Sequence, residues 1–418
     1  MDAEVTDSAG TPAAGPDEPA DAPADGQAQD PADGPSVGSG VGRGRRWLRR
    51  IGLVLSFLLL VLAGVGWWLY EKLDGNITSD LTAAEELERY DKERPLPAAH
   101  GAQNILLIGS DSRAGAENGE YGTDKGIQRS DTTILLHLAA DRRSATAVSV
   151  PRDLMVTMPG CRTAKGTRSA ERFAQFNDAF AIGGAACTIR TVERLTGVRI
   201  DHHMVVDFRG FKDMVDAVGG VEVCLKEPID DKDARLKLPA GKRKLLGEDA
   251  LGFVRARKSL GNGSDTERMD RQQRFLGALF TKVQSNGVLL NPTRLYPVLD
   301  AATKSVTTDP GLASLKDLYD LTRAMRNVPA ERVRFLTVPR RPYPPDPNRD
   351  ELVEPGASIL FERLRKDAPV KVVPPDATPS TSTASTSPDT GSDQDTSSSS
   401  PSPTPAFPGT HAAAGLCG

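Results

Sequence analysis

Asn104-Ile105-Leu106-Leu107-Ile108-Gly109-Ser110-Asp111-Ser112-Arg113 is the stretch from which the fold can be read. Five residues rich in branched aliphatics, closed by glycine and then by Ser-Asp, predict a buried strand over Asn104–Ile108 that delivers a carboxylate to the sheet edge. Two further strands follow closely, Thr132–Leu138 and Ala145–Val150. The first is preceded by Arg129-Ser130-Asp131 and the second is followed by Pro151-Arg152-Asp153. Working outward, helical periodicity over Asp178–Thr196, interrupted at Gly183-Gly184, leads to a strand at His203–Phe208 and a helix at Gly210–Ala217. A strand at Val221–Leu225 and helices at Gly247–Phe253, Asp265–Ser285 and Leu312–Asn327 come next, with a last strand at Arg332–Val338. Strands alternating with helices predict an α/β fold: a central mixed sheet between helical layers, an α-β-α sandwich. Ligands of such folds gather where strands end, so Asp111 and Asp131 are expected to share one rim.

Upstream, Ile51–Tyr70 is a run of twenty uncharged residues, the length needed to cross a bilayer as a helix. Trp67, Trp68 and Tyr70 close it at the position of an interfacial belt, and Arg43, Arg45, Arg46, Arg49 and Arg50 precede it. This pattern predicts a single membrane anchor with a cytoplasmic N-terminus and an extracytoplasmic chain beyond residue 71. A cleaved signal peptide fits less well, because the run is long and no A-x-A site follows. The expected organisation is a disordered tail over 1–50, the span over 51–70, a membrane-proximal segment over 71–99 with a short amphipathic helix at Ile77–Glu93, a catalytic domain over 100–372 with its core in 100–285, and a Ser/Thr/Pro-rich tail over 373–418.

The net charge of −4 over 418 residues conceals an uneven distribution. Residues 1–42 carry nine acidic and no basic residues, and the chain beyond Lys371 carries four acidic and none basic. Setting these and the five pre-span arginines aside leaves 47 basic against 43 acidic residues in 51–371. A mildly basic globular part suits an anionic partner. The five histidines show no metal-ligand spacing, which disfavours a histidine-rich zinc or iron site. No helix-turn-helix pattern is present, so no nucleic-acid partner is expected. A Gly-x-Ser-x-Gly match at Gly34–Gly38 lacks the strand and helix of a nucleophile elbow. Of the four cysteines, Cys161 and Cys187 enclose a moderate loop and are expected to pair, as are Cys224 and Cys417. The alternative is buried free thiols at 161, 187 and 224.

Arg255-Ala256-Arg257, if extended, turns two guanidiniums to one face and offers a clamp for phosphate oxygens; a solvated basic surface is the alternative. In the helix after Ser264, Asp265, Arg268 and Gln272 fall on the same stripe as Met269, Leu276, Leu279, Phe280 and Val283. Capping accounts for Asp265, but inward-facing Arg268 and Gln272 need either a ligand or an internal network. Asp111 and Asp131 suit Mg²⁺ bound with a diphosphate, and equally suit two strand-end turns.

These segments, together with Gly219-Gly220-Val221 and the Asp-x-x-Arg-x-x-Arg-Gln-Gln run at 265–273, resemble in order the LytR-CpsA-Psr family of bacterial cell-wall enzymes, of actinobacterial type. The resemblance covers roughly residues 100–285. It implies an α/β sandwich with an apolar polyprenyl pocket. It also implies transfer of a glycopolymer from a polyprenyl-diphosphate carrier to peptidoglycan through a phosphodiester link. Carried across motif by motif, Asp111 and Asp131 match the carboxylates that hold Mg²⁺, with Mn²⁺ as the alternative ion. Arg129, Arg152, Arg255, Arg257, Arg268 and Gln272 match the diphosphate-binding set. Asp111, Asp131, Arg152 and Asp265 are the candidate catalytic residues. Gln175 stands where family members often carry lysine. A pyrophosphatase and a non-enzymatic membrane regulator or lipid sensor are the competing functions. The regulator has no need of the paired aspartates and arginines.

Overall fold

The computed structural model describes residues 41–110, 130–257, 265–285, 292–374 and 405–414. The chain divides into two compact units, Met1–Ala63 and Gly64–Gly418. A helix, α1 (Val41–Asp74), contains a stretch, Arg46–Asp74, long and apolar enough to cross a membrane, and its most apolar part is not buried in protein.

In the second unit, nine strands form a mixed central sheet among the described residues. They are β1 (Thr78–Ser79), β2 (Gln103–Ser110), β3 (Ser130–Leu138), β4 (Ala145–Val150), β5 (His202–Val206), β6 (Val306–Thr308), β7 (Val333–Thr337), β8 (Lys371–Val373) and β9 (Ala406–His411). The helices are α2 (Leu81–Arg89), α3 (Asp178–Thr196), α4 (Phe208–Ala217), α5 (Gly247–Arg255), α6 (Asp265–Ser285), α7 (Pro292–Ser305), α8 (Leu315–Arg326) and α9 (Gly356–Arg365). The spatial order is β1-β6-β5-β2-β3-β4-β7-β9-β8. β2 runs antiparallel to β3 and parallel to β5, while β4 runs parallel to β7.

Alternation along the strands sends successive side chains to opposite layers. Leu106, Ile108, Leu135, Val148 and Val150 pack under α3 and α9. Ile134, Leu138, Ala145, Ala147, Val333 and Phe335 pack on the other face, with Leu276 and Phe280 of α6. A third core joins α4 and α5 to two hairpins, 221–245 and 229–238, around fully buried Phe275 of α6. Each fully buried Leu, Ile, Val or Phe among them contributes about 1.5–3 kcal/mol relative to exposure. The expected α-β-α sandwich is therefore the observed architecture.

Three segments differ from expectation. Residues 77–93 are not one helix: Thr78–Ser79 pairs with β6 at the sheet edge, and α2 begins only at Leu81, where Asp80 Oδ1 accepts from the Ala83 amide at 2.9 Å. The membrane-proximal segment is thus built into the domain. Arg255-Ala256-Arg257 is not extended, because Arg255 is the last residue of α5. Within the tail expected over 373–418, Ala406–His411 inserts as β9 between β7 and β8. Composition hides this strand behind the Ser/Thr-rich run, and it fits because Gly409 has no side chain: a Cβ there would run into the Phe335 carbonyl oxygen.

The Cys161–Cys187 disulfide forms as expected. Cys224 is disulfide-bonded, and Cys417, its expected partner, lies outside the described residues.

Candidate functional site

Where β2 and β5 end and β3 begins, a cavity of about 530 Å³ opens between the α6 face of the sheet and helices α4, α5 and α6. This is within the size range of pockets that enclose a small ligand or part of a lipid chain. Its walls are mostly apolar: Leu107, Ile134 and Met204 from the sheet, Phe211 and Met214 from α4, and Leu276 and Leu279 from α6. The stripe read along α6 accounts for this wall, since Arg268, Gln272, Leu276 and Leu279 all face the cavity.

At the sheet edge the lining turns polar. Asp131, Arg152, Arg255, Arg257, Arg268 and Gln272 are all brought together there. Asp111 and Arg129 lie outside the described residues; Asp265 opens α6, and its side chain is likewise outside them. Arg152 donates from its Nη1 to Asp131 Oδ1 at 2.8 Å and from Nε to Asp153 Oδ2 at 3.1 Å. The guanidinium of Arg255 lies over the Phe208 ring, 4.5 Å from its centroid, a cation–π contact that fixes the head at the cavity mouth. Arg268 is buried, with 5% of its surface exposed. Gln272 donates to the Val254 carbonyl at 3.0 Å, and Thr132 Oγ1 approaches its Oε1 at 3.5 Å. Four arginines, Arg152, Arg255, Arg257 and Arg268, thus share the lining with four aspartates, Asp131, Asp207, Asp231 and Asp233.

Three carboxylates in the lining carried no motif signal: Asp207, Asp231 and Asp233. Asp207 caps α4, its Oδ1 accepting from the Gly210 amide at 2.8 Å. Buried Asp231 accepts from the amides of Asp233 and Ala234 through Oδ1 and from the Arg257 amide at 2.7 Å through Oδ2. It therefore fixes the backbone that presents Arg257. The N-cap position before Phe208 was a readable signal for Asp207; nothing local distinguishes Asp231 from other turn aspartates.

Two neighbours in the 265–273 run serve as supports. Arg271 donates to the carbonyls of Phe253 and Ala256, closing the end of α5 next to Arg255 and Arg257. Burial lowers its pKa against the pull of Glu267 and Asp231. Gln273 Nε2 donates to Ser149 Oγ and Thr337 Oγ1, both at 2.9 Å, which pins α6 to β4 and β7. At the position where a lysine is common, Gln175 Nε2 donates to Asp153 Oδ1 at 3.0 Å. Arg349 Nη1 stands 3.5 Å from the same oxygen, so a cation reaches this carboxylate from another strand.

Among the described residues no group of three or more His, Cys, Asp or Glu could hold a metal ion. Mg²⁺ beside a diphosphate needs only one or two carboxylates, because phosphate oxygens and water complete its shell. Asp131 suits this role: one oxygen accepts from Arg152, and the other makes no hydrogen bond among the described residues.

Comparisons with known proteins identify the family. The LytR_cpsA_psr family model matches residues 74–361. The cell wall biosynthesis protein LcpA of Corynebacterium glutamicum is 33% identical over 316 residues, covering 70% of this chain and 59% of LcpA. The chain thus spans little more than half the length of that relative. The polyisoprenyl-teichoic acid–peptidoglycan teichoic acid transferase TagV of Bacillus subtilis is 29% identical over 351 residues, 81% of each protein. Among solved structures, a LytR-Csp2A-Psr enzyme from Actinomyces oris superposes with a TM-score of 0.52 at 21% identity, covering 65% of this chain and 93% of that one, and shares the fold.

Proposed function

The chain belongs to the LytR_cpsA_psr family, and from that premise we propose that it is a membrane-anchored phosphotransferase. It moves a glycopolymer from a polyprenyl-diphosphate carrier to peptidoglycan. The observation that carries this reading is the placement of Arg152, Arg255, Arg257 and Arg268 at the polar mouth of an apolar cavity. A molecule with a long hydrocarbon chain and a diphosphate head matches both halves. The relative TagV, by its name, transfers teichoic acid from a polyisoprenyl carrier to peptidoglycan.

In this reading the prenyl chain lies between the sheet and α4, α5 and α6. The guanidiniums take the diphosphate oxygens, with Gln272 as a neutral donor. A sugar hydroxyl of peptidoglycan attacks the phosphorus nearer the glycan. A new P–O bond forms, the bond to the bridging oxygen breaks, and polyprenyl phosphate leaves with the electron pair. Phosphoryl transfer of this kind relies on positioning and charge neutralisation, which the arginines supply. The hydroxyl proton passes to a carboxylate at the rim, where Asp131, Asp207 and Asp233 stand, with Asp111 and Asp265 adjoining in sequence. Asp131, with Asp111, would hold Mg²⁺, which neutralises charge on the diphosphate when bound. The arginines before the apolar span support a cytoplasmic N-terminus and an outward-facing domain.

The test is product analysis with a short-chain prenyl-diphosphate sugar, with and without peptidoglycan. Transfer gives polyprenyl phosphate together with glycan-phosphate bound to peptidoglycan. Release of glycan phosphate regardless of acceptor would instead identify a pyrophosphatase, and no turnover in either case would favour a lipid sensor.

A further inference from the structure

A polar groove lies on the opposite face of the sheet from the apolar cavity. It has two parts, of about 330 and 620 Å³, which share Asp80, Phe180, Gly184 and Ala185. The smaller part meets the apolar cavity at Ser110, Asp207 and Val306. Strand alternation fixes the sides. Met204 and Val206 of β5 face the cavity, whereas Val205 faces the groove. Val205 pairs with Thr307 of β6, and Thr307 with Thr78 of β1, so these three side chains form one row along the groove floor. The far wall is α3 at its break. There Gly184 has φ +59° and open space where a Cβ would stand, while Gly183 is pressed against the Arg162 carbonyl. An unbroken helix would not leave this opening.

We infer that this groove binds the acceptor glycan, an inference that rests on the transfer reading above. In-line displacement requires the attacking hydroxyl to approach from the side opposite the leaving oxygen. The leaving polyprenyl phosphate sits on the α6 face. The nucleophile therefore comes over the sheet edge from the α3 face, where the groove opens. Its oxygen bonds to phosphorus as the bridging oxygen departs, and its proton goes to the rim carboxylates or to water. The lining suits a sugar chain: hydroxyls on Thr78 and Thr307, and charged Asp80, Arg162 and Lys304.

Thr78 is exposed on a short edge strand and belongs to no part of the diphosphate site. Thr78→Trp should obstruct the groove without disturbing the donor. With the full chain in detergent micelles, a short prenyl-diphosphate sugar as donor and an uncrosslinked peptidoglycan oligosaccharide as acceptor, the acceptor KM should rise at least tenfold while donor affinity stays unchanged. Thr307→Trp, one strand inward, should act the same way and serves if the first variant misfolds. An unchanged acceptor KM in a folded variant overturns the inference. So does weakened donor binding, which would place the donor's own sugars in the groove. If the wild-type chain turns over no donor onto peptidoglycan, the transfer reading itself has failed, and the groove has no acceptor to hold.

Discussion

Arg152 directs two hydrogen bonds at two carboxylates, whereas Arg268 is enclosed by the cavity wall, and the two should respond differently to substitution. Arg268→Ala removes a desolvated cation from the mouth and should weaken binding of a prenyl diphosphate by about 1.5–3 kcal/mol, the scale of a charge-assisted hydrogen bond. Titration in EDTA measures this without metal; unchanged affinity would assign Arg268 to an internal network. Asp131→Asn should leave that metal-free affinity intact or slightly tighter, since a negative charge is lost, and should depress Mg²⁺-supported turnover. At the edge of the groove, burial opposes ionisation of Asp80, but His203, the Ala83 amide and Thr82 outweigh it and hold its pKa at about 2. A carboxylate depressed in the folded state stabilises it above the unfolded pKa of about 4, and this is lost as pH falls through that value toward 2. Acid melting curves should therefore be flatter for Asp80→Asn than for wild type between pH 4 and 2. Motif residues on strand ends and on α6 were legible because spacing fixes their face. Asp231 and Arg349 were not, since each reaches the site region or its supports by a return of the chain that local pattern does not encode.

At the scale of elements, α6 is the part on which the site depends most, and it is held from behind. Gln273 ties it to β4 and β7, and Thr281 Oγ1 donates to the Ala412 carbonyl at 3.2 Å just after β9. Seating of β9 should therefore matter to stability. Gly409→Ala forces a Cβ against Phe335 and should cost about 1–3 kcal/mol, the usual penalty of overpacking. Thermal or urea melting checks it, and a variant as stable as wild type would mean that β9 is not seated as described. The Cys161–Cys187 bridge, with a sequence separation of 26, should contribute about 3 kcal/mol by constraining the unfolded chain. A Cys161→Ser/Cys187→Ser double variant compared with wild type without reductant measures that contribution. The α3 break and the strands β2 to β4 were readable from glycine and aliphatic pattern alone. Strand β9 was not, because a six-residue segment after a long Ser/Thr-rich run carries little periodicity, and its place between β7 and β8 is set by those partner strands.

For the whole molecule, the arrangement amounts to an apolar cavity and a polar groove on opposite faces of one sheet, meeting at an edge lined with arginines and carboxylates. In the proposed reading the cavity on the α6 face takes the lipid half of a carrier, and the edge takes its diphosphate. The stretch Arg46–Asp74 is long and apolar enough to cross a membrane, as the proposed use of a lipid-borne carrier requires. The central claim is that the edge cleaves the carrier diphosphate by transfer to a sugar hydroxyl. The most direct measurement follows the full chain in lipid nanodiscs with a polyprenyl-diphosphate glycan labelled in its sugar, Mg²⁺ and peptidoglycan. The account predicts that polyprenyl phosphate and peptidoglycan-bound label appear in equal amounts, that the link is a phosphodiester, and that Arg257→Ala suppresses both. Label released as free glycan phosphate at the same rate with and without peptidoglycan would contradict it.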